Sequence, residues 1–204
     1  MEQQEFEAYL QSAKETDNTI GEITLDHAEL VEFDLRNIDF ENVTFNHCRL
    51  IGCNAEKASF YSCTFRGCDF SNVRFTDSYW KDCRVLESKG DGADLTSVHM
   101  KQTHFSDCSL DYANFTESLL EGVEIRDCRC RYANFGQVRL KKTVFDHVDF
   151  SGAEFFRTML RGMELSTCEI DGIVVSETLA ELKGAKIAAY QAVQLAQMLG
   201  IKIV

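Results

Sequence analysis

The chain has 204 residues, 45% hydrophobic and 11% aromatic, with a formal charge of −12, nine cysteines and no proline. That is one domain's length with enough apolar material for a core, which excludes a disordered chain, and the composition excludes collagen-like, proline-rich and mucin-like chains. The acidic balance opposes direct electrostatic binding to nucleic acid or to an anionic membrane.

The N-terminus, Met1-Glu2-Gln3-Gln4-Glu5-Phe6, lacks the basic and apolar regions of a signal peptide, and no stretch approaches the roughly 18 apolar residues of a membrane helix. A cytoplasmic protein is the expectation, with the cysteines as thiols; an odd count opposes a fully paired disulfide framework. Residues 5–13 predict a short amphipathic helix whose Phe6, Tyr9 and Leu10 can cover the start of the adjoining segment, within an N-terminal cap of residues 1–19.

From Ile20 a period of five takes over. Every fifth residue to Val175 is a large apolar side chain, save Ala55, Gly90 and Cys130, and the register never slips. Two residues before each centre runs a second track, mostly small or β-branched, as in Cys48, Cys63, Val73, Ala93, Ser118 and Val148. Neither a helix at 3.6 residues per turn nor a strand of period two keeps such a pattern on one face. A solenoid does, if each pentapeptide forms one side of a coil and turns a corner with both tracks pointing inward. Ser88-Lys89-Gly90-Asp91-Gly92 is the weakest repeat, and its two glycines predict a local bulge or bend.

These repeats resemble the pentapeptide-repeat family, whose A(D/N)LXX motif is matched by Ala133-Asn134-Phe135, Ala113-Asn114-Phe115, Cys68-Asp69-Phe70 and Ala93-Asp94-Leu95. The resemblance covers about residues 20–175 and implies an all-β solenoid, a right-handed quadrilateral β-helix of about eight coils with four pentapeptides in each. Residues 20 apart then stack at roughly 4.8 Å, giving a rod about 35 to 40 Å long. Its interior is filled by side chains and leaves no room for an internal ligand pocket.

The remaining residues, 176–204, predict a helical dimerisation segment. Ser176 is placed to cap a helix through Leu182 that stops near Gly184; a second helix is expected from Ala188 to Leu199, and Ile201-Lys202-Ile203-Val204 reads as a strand. The only polar side chains of the second helix are Gln191, Gln194, Gln197 and the Tyr190 hydroxyl, so most of its circumference is expected to be buried, more than one coil end can cover. A second subunit is the expected cover. The candidate homodimer interface is Phe156, Met159, Ile187, Tyr190, Val193, Leu195, Met198, Leu199, Ile201 and Ile203.

The residues carry little chemistry. Eight cysteines lie on the small track and Cys130 is a centre, so all are expected to act as buried corner fillers. His27 and His47 should stack on an outer face without an adjacent third ligand, so no metal site is expected. There is no glycine-rich phosphate loop, paired-carboxylate pocket or nucleophile with its base, so neither an enzyme nor a cofactor is expected. Glu29, Arg49, Asp69 and Lys89 share one stacked position and predict a charge ladder, whereas Val31, Ile51, Leu86 and Leu119 are single outward apolar residues. Residues 1–50 hold 12 acids and 3 bases, a net of −9, against −3 for the rest. The candidate partner-binding acidic face is Glu29, Glu32, Asp34, Asp39 and Glu41. Arg126, Arg129, Arg131, Arg139, Lys141 and Lys142 make a locally basic region.

Leu182-Lys183-Gly184-Ala185-Lys186-Ile187, Gln191-Ala192 and Leu199-Gly200-Ile201 resemble the dimerisation end of the Qnr and MfpA-like branch of the family. That resemblance implies a tail-to-tail homodimer about 70 to 80 Å long, by doubling the strand-stack length. It also implies a DNA mimic that binds a type II topoisomerase, DNA gyrase or topoisomerase IV, with a bearing on quinolone susceptibility. The uninterrupted repeats match MfpA-like members, which lack the loops that interrupt Qnr coils. The alternative is a rigid protein–protein interaction scaffold with an unrelated partner.

Overall fold

A computed structural model describes residues 3–16 and 18–202. It is a parallel β-solenoid with four sides. On the first side, the strands Thr19–Gly21, Asp39–Glu41, Ser59–Tyr61, Tyr79–Lys81, His99–Lys101, Leu119–Glu121 and Arg139–Lys141 stack in one seven-stranded sheet. The second side is another seven-stranded sheet, from Thr24–Asp26 to Val144–Asp146. The third and fourth sides are narrower, held by one short strand pair, Glu29–Val31 on Arg49–Ile51, and by single bridges such as Asp34 to Asn54 and Asp94 to Asn114. Every pair is parallel at a spacing of 20, Ile20 on Phe40 and Met100 on Leu120 among them, as four pentapeptides per coil require.

From Ile20 to Ile170 every centre residue is buried except Leu140. Identical register gives identical rotamers one coil apart, so the phenylalanines stack face to face. The Phe45 and Phe65 rings lie 4.5 Å apart at 6°, and Phe115 and Phe135 lie 4.7 Å apart at 5°. Neighbouring sides meet edge to face instead, as Phe70 meets Phe75 at 82°. Removing one such ring would cost about 3–5 kcal/mol.

The second track does more than fill corners. Cys63 donates its thiol to the Phe40 carbonyl (3.4 Å) and Cys83 to that of Phe60 (3.2 Å); Ser118 (2.8 Å) and Thr143 (2.9 Å) donate equivalently to Leu95 and Leu120. A small side chain with a donor therefore suits the position, and all nine cysteines are free and buried there or, for Cys130, in the core.

The weak repeat is not a bulge. Lys89, Gly90 and Gly92 donate in unbroken register to Cys68, Ser109 and Asp111. Gly90 is small because the Phe70 ring fills its slot, so the missing centre is made up by the coil before it rather than by a bend.

The N-terminal helix, Gln3–Glu15, closes the first coil. Phe6, Leu10 and Ala13, spaced by four and three, are buried, with the Phe6 ring 5.7 Å from that of Phe33. Tyr9, expected to join them, faces outward and is 39% exposed, since it lies off that stripe.

At the other end the spacing lengthens. Phe155 N–H donates to Val174 C=O, 19 residues on, but Leu160 donates to Glu181 and Gly162 to Gly184. The extra residues form a three-residue 3-10 turn, Ala180–Leu182, entered by Leu179 in the left-handed region (φ 50°) rather than a helix from Ser176. Ser176 instead gives its hydroxyl to the Glu181 carboxylate (2.7 Å), which also accepts the Arg157 N–H (2.9 Å). The last helix is Ala189–Met198. Ile201 and Lys202 are not in a strand, and Ile203 and Val204 lie outside the described residues.

Candidate interaction surfaces

The five acidic candidates ring the N-terminal end rather than sharing one side. Glu29 is on the third side, Glu32 at the next corner, Asp34 on the fourth side, and Asp39 and Glu41 on the first. Their electrostatic standing differs too. Glu29 is paired with Arg49, and Asp34 is held by Arg36 (2.8 Å) and Lys14 (3.4 Å). The Arg36 hydrogen bond keeps the Asp34 carboxyl far below the usual carboxylate range. Among the described residues no cation lies within 4 Å of Glu32, Asp39 or Glu41, so these three contribute unneutralised charge.

The Glu29–Arg49 pair is also the only direct rung of the expected ladder. Asp69 stacks on Arg49 in register but accepts from Ser71 N–H and Oγ–H (3.0 and 2.7 Å), and Lys89 turns toward Asp91 (3.7 Å). The His27 and His47 rings stack at 5.1 Å. Among the described residues no three or more His, Cys, Asp or Glu side chains gather to hold a metal, and no helix is long and apolar enough to cross a membrane.

The C-terminal end reverses the expected polarity of its helix. Gln191 is fully buried: its Nε2 donates to the Leu165 and Cys168 carbonyls (2.9 and 2.6 Å) and its Oε1 accepts from Ala188 N–H (2.7 Å). The amide thus seals the open end of the last coil and satisfies the helix start at once. The apolar side chains turn out instead. Tyr190 is 54%, Leu199 60% and Ile201 52% exposed, with Val193 and Met198 exposed beside them. Phe156, Met159 and Val174 are exposed on the adjoining coil, whereas Ile187 and Leu195 are half-buried against the core. Ile203 lies outside the described residues. The single chain therefore leaves apolar surface uncovered at this end.

One surface escaped the sequence reading. Tyr112 and Tyr132 occupy the left-handed corner position, at φ of 61° and 55°, where Asn, Asp, Gly and His are the easier residues. Their rings stack at 5.3 Å and 11°, both largely exposed, and the Tyr132 ring lies where a side chain at Gly152 would be. Beside them Asp111 is almost wholly buried and accepts from Arg131 Nη2 (2.6 Å) and Nε (3.1 Å), with Arg129 at 3.6 Å. Burial would raise the Asp111 pKa, but the Arg131 hydrogen bonds outweigh it and hold it low. The available signal was two tyrosines 20 residues apart at a corner register.

Charge changes sign along the first side. It begins with Asp39 and Glu41, continues through Tyr61, Tyr79 and His99, whose rings meet at 5.2–5.6 Å, and then carries Lys81, Lys101, Arg139 and Lys141. Negative potential is a property of the N-terminal end, not of the whole rod.

Comparison with known proteins agrees with this geometry. A profile described as the pentapeptide repeat region matches residues 58–135, and one for eight-copy pentapeptide repeats matches residues 22–54, 38–77 and 124–162. No curated protein is significantly similar in sequence. Among solved structures the chain is similar to full-length QnrB1, described as a plasmid-mediated fluoroquinolone resistance protein: 20% identity, 90% of this chain and 97% of that one, TM-score 0.53. A second is HetL, described as a pentapeptide repeat protein involved in heterocyst differentiation regulation from the cyanobacterium Nostoc sp. strain PCC 7120: 16% identity, 87% and 92% coverage, TM-score 0.44. At these identities the likeness is one of fold.

Proposed function

Because the chain belongs to the pentapeptide-repeat family, we propose that it is a non-enzymatic binding rod that pairs through its C-terminal end and presents its acidic N-terminal ends to the DNA-binding saddle of a type II topoisomerase. DNA gyrase or topoisomerase IV is the partner in this reading, and quinolone susceptibility is the property it would modulate. The observation that carries it is the unneutralised charge of Glu32, Asp39 and Glu41 on a rigid tip, within the fifty residues that hold nine of the twelve net negative charges. Fixed carboxylates on a parallel stack repeat at roughly 4.8 Å and lose no freedom on binding, which suits a positive groove built for phosphates. Pairing supports the reading by placing two such tips at opposite ends of one particle, and the apolar side chains around Tyr190 and Leu199 supply the surface for it. The test is inhibition of gyrase supercoiling by purified protein.

A second reading, a scaffold for an unrelated protein, draws on the Tyr112–Tyr132 pair. Exposed tyrosines beside arginines are the side chains that dominate protein interfaces. Capture of a non-topoisomerase partner that is lost on changing both tyrosines to asparagine would favour it.

A further inference from the structure

The seventh and eighth coils part company on two sides of the rod. On the first side Gln102 N–H donates to Glu121 C=O (2.9 Å) and Gly122 to Lys141 (2.7 Å), but Lys142, next in that column, makes no such bond, nor does Leu140 N–H. The Val138 and Leu140 carbonyls accept none either. On the second side His147 N–H reaches the Thr167 hydroxyl (3.3 Å) instead of a backbone carbonyl. Pairing resumes at Glu169, which donates to Val148 (2.9 Å). The cause is the lengthened cap: Leu160, Gly162 and Leu165 are bonded to Glu181, Gly184 and Lys186, which draws residues 160–165 toward the end of the rod. A side chain at Gly122 would rest 3.6 Å from Gln102, whereas one at Gly162 would meet nothing within 4 Å.

The opening is a cleft of about 480 Å³ in which Leu140, alone among the centres up to Ile170, reaches solvent, with Val138 and Met159 beside it. Its charge is one-sided. Arg139, Lys141, Lys142, Arg157 and Arg161 are exposed, and among the described residues none has a carboxylate within 4 Å; Glu121 sits one coil back from Lys141 in register. Arg126, Arg131 and Arg49, by contrast, are all paired.

We propose that this cleft is a second binding site, which takes an extended acidic peptide as an added β-strand on the free edge at Arg139–Lys141. An open sheet edge offers donors and acceptors in alternation, which a peptide backbone satisfies and a row of phosphates does not. Side chains of a strand alternate, so an apolar residue pointing inward covers Leu140 while carboxylates on the other face meet the five bases. This site stands apart from the acidic tip, and its test does not involve topoisomerase.

Hydrogen exchange on the full protein comes first. Lys142 should exchange at least about ten-fold faster than Gln102 and Gly122, because it lacks their bonds. Fluorescence anisotropy with a labelled peptide of alternating valine and glutamate then reads binding. The expected results are saturable binding, slowed exchange at Lys142, and an affinity at least about ten-fold weaker for Arg139→Glu with Lys141→Glu. Lys81→Glu with Lys101→Glu, on the same side but away from the cleft, should bind normally. A valine–lysine peptide and a valine–glutamate peptide N-methylated on alternate amides should fail to bind; the methylated probe requires no altered protein. Protection of Lys142 equal to that of Gly122, no binding of the acidic peptide, equal binding of the methylated or lysine peptide, or tighter binding of a labelled oligothymidylate would each overturn the proposal.

Discussion

The ring of Phe70 occupies the space that a side chain at Gly90 would need: a Cβ on Gly90 would lie 2.1 Å from Phe70 Cε2. The two residues share one core slot across adjacent coils. Gly90→Ala should therefore destabilise the rod by about 1–3 kcal/mol, as overpacking does. Gly90→Leu combined with Phe70→Ala should be less destabilised than the sum of the single changes. Urea unfolding of the four proteins checks this, and strict additivity would contradict a shared slot.

This pair also shows where sequence stops being legible. The five-residue period reveals the solenoid because each centre must point inward whatever its identity. A missing centre was read as a local defect because the compensation lies 20 residues away, in the tilt of Phe70. The same distance hid the parting of the last two coils, which arises from the lengthened cap after Val174 rather than from anything in residues 139–147. The helix Ala189–Met198 was placed by its sequence, but its orientation was not, because the buried face is chosen by one amide, Gln191, that finds two carbonyls at the open coil. The acidity of residues 1–50 was countable from composition; which carboxylates remain unpaired depended on the reach of Lys14, Arg36 and Arg49.

Acid should loosen the rod through Asp111 and Glu181. Both carboxyls have folded pKa values below their ordinary ones: burial pushes each up, but Arg131 at Asp111, and Ser176 and Arg157 N–H at Glu181, outweigh it. A depressed folded pKa means that this stability is fully present above the unfolded value of about 4 and is lost as pH falls below it through the folded value. Melting temperature against pH should drop below about pH 4. The drop should be shallower in Asp111→Asn, which starts less stable at neutral pH; parallel curves for the two proteins would refute the assignment.

Native thiols should be silent. Burial pushes the Cys53 thiol up to about 11 and Cys130 well above the ordinary range, and the hydrogen bond to Cys48, then burial, raises Cys68. The same bond lowers Cys48 to about 7, but its sulfur has no access to reagent, being fully buried. A thiol-reactive disulfide reagent should therefore titrate none of the nine in the folded protein and all nine in denaturant. Prompt labelling of Cys48 in the folded state would show that its corner opens.

Pairing through the C-terminal end should depend on Tyr190 and Leu199, which are exposed in the single chain and so are not needed to fold it. Tyr190→Glu with Leu199→Glu should give a folded monomer by light scattering, with the circular dichroism of the parent. An unchanged mass at twice the chain weight would move the interface elsewhere.

The proposed function is tested most directly by a gyrase supercoiling assay with the parent protein and a Glu32→Gln, Asp39→Asn, Glu41→Gln variant, whose exposed substitutions leave the core intact. Inhibition by the parent at micromolar concentration, relieved by added DNA and weakened about ten-fold or more in the variant, is the predicted result. No inhibition by the parent, or equal inhibition by the variant, would contradict the acidic tip as the topoisomerase-binding element.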